Sequence, residues 1–280
     1  MKKHFLYPRF LQLVIACIFV SGCSSATNQT IPVATIIKDQ ENHLTLPSGL
    51  RIDEYTIKDI PEVDPLKFEL VQPSQTGLLA KHNQEKQDKF PDNSFFEDMT
   101  FSRSATLNGQ KLVARELVSV SGPTGSIQKV SIDVLRNDKV IYTLPAGDVS
   151  PVGALQGLWT YQKHWVLEIA YTEAHTNQNN VTTSAFGKLV QDGQLLNDQD
   201  DYQEMFGFQL INKQPFYFFK QGDQIGISYN NQKTMLGYAE IPHYHCCSAA
   251  ELNPIVAQNM VAFFAQRNGN WYYVEIGIYP

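Results

Sequence analysis

From about residue 100 onward, short apolar runs alternate with polar pairs that favour turns. Asn108-Gly109 separates FSRSATL from QKLVARELVSV, and Asn268-Gly269 separates MVAFFAQR from NWYYVEIGIY. Both pairs suit the two-residue type I′ hairpin, whose central residues need positive φ. Weaker forms of the signal occur at Asn137-Asp138, Asp192-Gly193, Asn212-Lys213 and Asn230-Asn231, and WTYQKHWVLE reads as two short strands around Gln162 and Lys163. The pattern predicts a succession of antiparallel hairpins.

Helical periodicity is scarce. Ser248, with Glu251 three residues on, makes a capping box for one turn, and Asn253-Pro254 is placed to cap and start another. The aromatics of Met260 to Gln266, and the Asn-Gly that follows, favour a strand there. The expected fold is mainly β: serial antiparallel hairpins, propeller-like or a sandwich or barrel, with few short helices. A loose unit of apolar strand, polar turn, aromatic strand and glycine recurs in IDVLRNDKVIYTLPAG, FQLINKQPFYFFKQG and FFAQRNGNWYYVEIG. A propeller of about 230 residues would hold about five blades. The stretch GDQIGISYNNQKTMLGYAEI, 222 to 241, resembles a single WG-type repeat through Gly226, the Asn230-Asn231 turn and Tyr238, with Ile225 where that family places tryptophan. The resemblance implies a repeat scaffold and no chemistry. Residues 49 to 100 are broken by Pro61, Pro65, Pro73, Pro91 and the charged stretch KHNQEKQDK, so they read as the less regular part of a domain spanning 46 to 280.

The amino terminus has a different pattern. Lys2, Lys3 and Arg9 precede an apolar run from Leu11 to Val20, the build of an export signal and too short to cross a bilayer. Val20, Ser21, Gly22 and Cys23 resemble the lipobox of bacterial lipoproteins. That resemblance implies a signal peptide over 1–22, cleavage before Cys23 and a diacylglyceryl group on its sulfur. Two or more acyl chains hold a protein on a membrane where one does not. Residues 23–45, rich in Ser, Thr, Asn and Gln, then form the lipidated cysteine and a flexible tether. By the same resemblance, Ser24 after the cysteine implies that an outer membrane is permitted, and in a single-membrane bacterium the signal implies the outer face of the cytoplasmic membrane.

Charge narrows the partners. The whole chain carries 22 basic and 28 acidic residues, a net of −6, which becomes −9 when Lys2, Lys3 and Arg9 leave with the signal. An exported acidic chain with no basic cluster is a poor match for nucleic acid. The membrane, reached through the lipid on Cys23, is the expected partner, and no cofactor is implied. Aromatics form blocks at Phe216 to Phe219, at Phe263 and Phe264, and at Trp271 to Tyr273. Stacking on sugar rings is one use for such blocks; core and cross-strand packing is the commoner one.

No nucleophile elbow, phosphate loop, zinc-protease motif or dinucleotide fingerprint is present, and no residue is assigned a catalytic role. Asp198, Asp200, Asp201 and Glu204 in NDQDDYQE lack the glycine of a calcium loop and read as a solvated acidic loop. His164 and Glu168 show no visible partner in the sequence and are read as structural. The densest chemistry is HYHCC, residues 243 to 247. On a strand, His243 and His245 share a face and suit one zinc ion, whereas residues 243 and 247 lie about 13 Å apart, too far to close on it. A site using His243, His245, Cys246 and Cys247 needs a bend and a remote ligand. Outside the cytoplasm thiols oxidise, and with Cys17 removed and Cys23 lipidated, Cys246 and Cys247 have only each other or another chain. A vicinal disulfide wants a turn, since adjacent Cα atoms are about 3.8 Å apart. Vicinal disulfide, two unpaired thiols and metal site all stay open. With an anchor and no catalytic constellation, the sequence points to a lipid-anchored envelope protein that binds or builds, with an envelope-polymer hydrolase and metal or redox handling at 243–247 as alternatives.

Overall fold

The two-residue turns set the architecture. The computed structural model of the chain describes residues 43–59, 69–72, 74–89, 102–121, 127–149, 153–177, 180–245 and 248–278. Both turn residues have positive φ at Asn108-Gly109 (51° and 77°), Asn137-Asp138 (50° and 65°), Asn212-Lys213 (47° and 62°), Asn230-Asn231 (48° and 62°) and Asn268-Gly269 (52° and 76°). That is the backbone whose twist matches a right-handed strand pair. Each therefore joins neighbouring antiparallel strands, and the described residues are mainly β.

Three sheets result. The first combines the two ends of the described chain: β1 (His43–Thr45), β2 (Arg51–Asp59), β3 (Glu69–Leu70), β16 (Ile255–Ala257), β17 (Met260–Arg267) and β18 (Asn270–Gly277). Its order is β1-β2-β18-β17-β16, with β3 beside β2. The second is the large sheet: β4 (Ser102–Leu107), β5 (Gln110–Ser121), β6 (Ile127–Arg136), β7 (Lys139–Asp148), β8 (Leu155–Tyr161), β9 (His164–Asn177), β10 (Asn180–Gln191) and β11 (Gln194–Leu195). The third is a four-stranded meander of β12 (Glu204–Ile211), β13 (Gln214–Gln221), β14 (Gln224–Tyr229) and β15 (Gln232–Tyr238). All pairings are antiparallel except a single bridge, Gly147 to Thr172, between β7 and β9.

The meander lies in the middle, buried on both faces. Phe216 and Phe218 of β13 meet Val261, Phe263 and Val274 of the first sheet, while the alternate residues Tyr217 and Phe219 meet Val166 and Leu189 of the large sheet. The FYFF block is thus core, as period-two alternation between two apolar neighbours requires. The opposite face of β9, with Trp165, Leu167 and Ile169, closes a separate core with Leu112, Ile132 and Val134. On the outer face of the first sheet, Phe264 and Tyr273 pack beneath Leu79 of α1 (Leu78–Lys89) and Leu252 beyond a 3₁₀ turn at Ser248–Glu251. The described residues form a sandwich-like stack, and none of their sheets closes into a barrel.

The three copies of the loose repeat fall one in each sheet, as the hairpins β6–β7, β12–β13 and β17–β18. They are the hairpins of three different sheets, and the five blades of a propeller are not what they build. The WG-like stretch is β14 and β15 of the meander. One expectation needs correcting, and two further details could not be read in advance. Asn253-Pro254, a cis peptide, leads into β16 and starts no helix. Within 49–100 the chain forms α1, which the charged run conceals. The last residues of the expected tether, His43–Thr45, are β1, paired with Arg51 to Asp53. The signal segment, Cys23, Cys246 and Cys247 lie outside the described residues.

Candidate functional site

The site begins with a carboxylate where an apolar strand should have none. In WVLEIA of β9, Glu168 falls on the face turned to the middle sheet and is 3% exposed. A bare carboxylate there is costly, so it must be matched by donors. It takes them from a bulge in β12: the N–H of Gly207 donates to Oε1 at 2.9 Å and that of Phe208 to Oε2 at 2.7 Å. The Tyr244 hydroxyl also donates to Oε1. Burial pushes the Glu168 carboxyl up, against the pull of Tyr244 and the two amides. Burial, then the Glu168 charge, pushes the Tyr244 phenol well above its usual range.

The bulge has a consequence for side-chain direction. Pairing of β12 with β13 slips between Phe206 and Gln209, with Gly207 at φ 63°. Phe206 and Phe208, two residues apart, would share a face on a regular strand. Instead Phe206 enters the core with the first sheet and Phe208 the core with the large sheet.

A second carboxylate, Glu204, stands at the start of β12. It accepts from the Gly187 N–H at 2.9 Å and faces His243 Nε2 at 2.9 Å. His243 Nδ1 faces the Ile241 carbonyl at 2.6 Å. Both ring nitrogens therefore face protein acceptors, the Ile241 carbonyl on one side and the Glu204 carboxylate on the other. Burial raises the Glu204 carboxyl, but the hydrogen bond and charge of His243 outweigh it and hold the group below its usual range. The imidazole lies flat on Phe206, centroids 3.6 Å apart at 7°. Asn197, in α2 (Leu196–Asp200), completes the β10 edge by accepting from the Leu189 N–H and donating to the Gly187 carbonyl.

Phe208, whose N–H is held by Glu168, also lines an open cleft of about 340 Å³ between the large sheet and the middle sheet. Tyr161, Phe208 and Tyr217 supply its aromatic lining, and six amides surround them: Gln162, Gln191, Gln199, Gln214, Asn230 and Asn231. Phe208 lies 5.2 Å from Trp159 and 6.2 Å from Tyr161, ring to ring, and the Tyr161 hydroxyl donates to Gln191 at 2.7 Å. His164 lines the mouth, with Nδ1 2.5 Å from Asp192. Among the described lining residues the one carboxylate is Asp200, paired with Lys233 at 2.9 Å.

The HYHCC stretch is thereby divided. Tyr244, at φ 55°, and His243 are turned inward as anchors; His245 is exposed. Both His243 nitrogens are engaged with protein acceptors, and no group of three His, Cys, Asp or Glu able to hold a metal occurs among the described residues. The acidic loop is divided too: Asp198 and Asp201 are exposed, Asp200 is ion-paired and Glu204 is turned inward. Sequence reading missed Glu168 and Glu204 as organisers. The signal available was a charged residue inside the apolar runs WVLEIA and, at its edge, EMFGF.

A further carboxylate pair sits in the first sheet. Asp53 of β2 and Glu275 of β18 are register partners, 2% and 0% exposed, beneath the segment before α1. Thr76 donates to Glu275 at 2.6 Å and Arg51 to Asp53 at 2.9 Å. Facing carboxylates are the arrangement a glycosidase needs, but these are covered and lie outside the cleft. The chain matches no protein-family model and no curated protein.

Proposed function

We propose that the protein is a lipid-anchored component of a bacterial envelope, held to the membrane through Cys23, that binds an envelope ligand in the cleft between its large and middle sheets. The observation that carries this reading is the cleft itself, an aromatic lining ringed by six amides, joined in one chain to a lipobox-like signal. Concave sites with apolar walls and a few convergent polar groups are where ligands bind. Its one lining carboxylate is neutralised by Lys233, which fits holding a ligand better than cleaving one.

The test uses the full chain in detergent, mixed with purified cell-wall sacculi, and scores sedimentation and released soluble fragments. The reading expects co-sedimentation, no fragments, and loss of sedimentation on Gln214→Ala combined with Asn231→Gly. Fragment release would make the protein an envelope hydrolase. Equal sedimentation of wild type and variant would move the binding site elsewhere.

A further inference from the structure

We infer that the cleft takes a neutral polyhydroxylated ligand, a short stretch of uncharged saccharide chain; this rests on the cleft being the binding site. The first ground is charge. Of thirteen lining residues, Asp200 is matched by Lys233 and His164 is tied to Asp192, while six are uncharged amides. A site selecting phosphates or polycations would present an unmatched field of one sign.

The second ground is hydrogen-bond type. A carboxamide offers donors and acceptors together, and so does a hydroxyl, whereas a carboxylate or ammonium offers one kind alone. A ligand carrying several hydroxyls loses many water contacts on binding, and an unpaired polar group costs as much as a good bond gains. Of the six lining amides, Gln191 already accepts from Tyr161 and Gln199 donates to Gln194, so Gln162, Gln214, Asn230 and Asn231 supply most of that matching. The half-buried Tyr161 ring offers an apolar face to the C–H side of a sugar ring, with the buried Phe208 and Tyr217 rings, 3% and 7% exposed, behind it.

The third ground is backbone. An extended peptide is normally held by ladder bonds along a free strand edge. Here Gln162, Asn230 and Asn231 are hairpin tips. Gln214, Pro215 and Tyr217 belong to β13, which is paired on both sides, with Pro215 facing Leu210 and its carbonyl taken by the Asn230 N–H. Recognition falls to side chains. The volume of about 340 Å³ lies near the lower end of ligand sites, about 300–1,000 Å³.

The experiment is calorimetric titration of the full chain, in a detergent without a sugar headgroup, with chitotetraose, cellotetraose and maltotetraose, and with an alanine-rich tetrapeptide and an oligogalacturonate as comparisons. The variant Gln214→Ala/Asn231→Gly removes two amides, and glycine keeps the positive φ of residue 231, 62°, without strain. The inference expects one neutral tetrasaccharide to bind, the variant to bind it about tenfold more weakly, as loss of one or two hydrogen bonds requires, and its melting temperature to stay unchanged. Variant-sensitive binding of the peptide or the acidic sugar alone overturns the saccharide class and leaves the cleft as the binding site. Saccharide binding that the variant leaves intact overturns the inference. No binding of any probe, with sacculi still sedimenting in a variant-sensitive way, overturns the saccharide class alone; no sedimentation either overturns both readings.

Discussion

Tyr244 and Glu168, 76 positions apart, meet inside the protein: the phenol donates to the carboxylate that also holds the backbone of Gly207 and Phe208. Through that carboxylate the HYHCC loop is tied to the bulge that turns Phe208 toward the cleft. The loop that looks like a reaction centre in the sequence acts here, through Tyr244 and His243, as a clamp beside the cleft wall at Phe208.

Removing either partner should loosen the clamp. Tyr244→Phe deletes a hydrogen bond to a buried carboxylate and is expected to cost about 2 kcal/mol, within the range for bonds to charged groups. Glu168→Gln replaces one acceptor oxygen with an amide NH2 that faces donors and should cost at least as much. The double variant should lose less than the sum, a coupling of about 1 kcal/mol or more in urea denaturation. Strict additivity would mean that the two side chains do not interact in solution.

Two glycines sit where a side chain has no room. A Cβ on Gly187 would stand 2.2 Å from the Met205 carbonyl oxygen and 2.7 Å from Phe206 Cβ, so Gly187→Ala drives β10 away from β12. We expect a loss of about 3 kcal/mol or more, the upper range for overpacking. At Gly207, with φ 63° and Phe218 Cδ2 at 2.9 Å from a built Cβ, alanine should cost about 1–3 kcal/mol. Thermal melts with either variant unchanged would contradict the packing.

Buried carboxylates give two opposite pH signatures. Burial raises the Glu275 carboxyl, Thr76, Ser74 and Tyr273 oppose this, and the Asp53 charge adds to it. The folded chain therefore keeps this proton to higher pH than the unfolded chain. Its contribution is full below the ordinary carboxylate range and declines as pH rises through the raised value. Glu275→Gln should gain stability relative to wild type as pH climbs from about 4. Glu204, held low by His243, has the reverse sign: its contribution is present above the ordinary range and is lost as pH falls through the lowered value. Glu204→Gln should be most damaging at neutral pH, and its deficit should shrink in acid. Denaturation series whose differences do not vary with pH would contradict both.

Anchoring has its own test. Cys23→Ala should abolish incorporation of labelled palmitate and move the protein from the membrane pellet to the soluble or precursor fraction. Continued lipid labelling of the variant would remove Cys23 as the acceptor.

What could be read in advance was local. Asn108-Gly109 or Asn230-Asn231 specifies its turn through two residues, and a hairpin follows whatever surrounds it. The α1 sequence LLAKHNQEKQDK has apolar side chains in its first turn only, so no helical stripe announces it. Asn253-Pro254 reads as a helix start, yet Asn253 instead stitches the Pro242 and Phe264 carbonyls and the Phe264 N–H. The clamp was least legible because its partners are 39 to 76 positions apart, and pairing at that distance leaves no period in the chain. The cleft is assembled from hairpin tips, strand ends and α2, whose amides read singly as ordinary turn and surface residues.

The most direct test of a cleft-centred role is site-specific photocrosslinking in intact cells. A photoreactive phenylalanine would replace Gln199, an exposed lining residue on α2, or, for comparison, Val118, 52% exposed on β5. The account predicts that irradiation yields a shifted species from position 199 and none from position 118, and that Gln214→Ala weakens the shift. Adducts from position 118 with none from 199 would contradict it, placing the working surface on the large sheet instead.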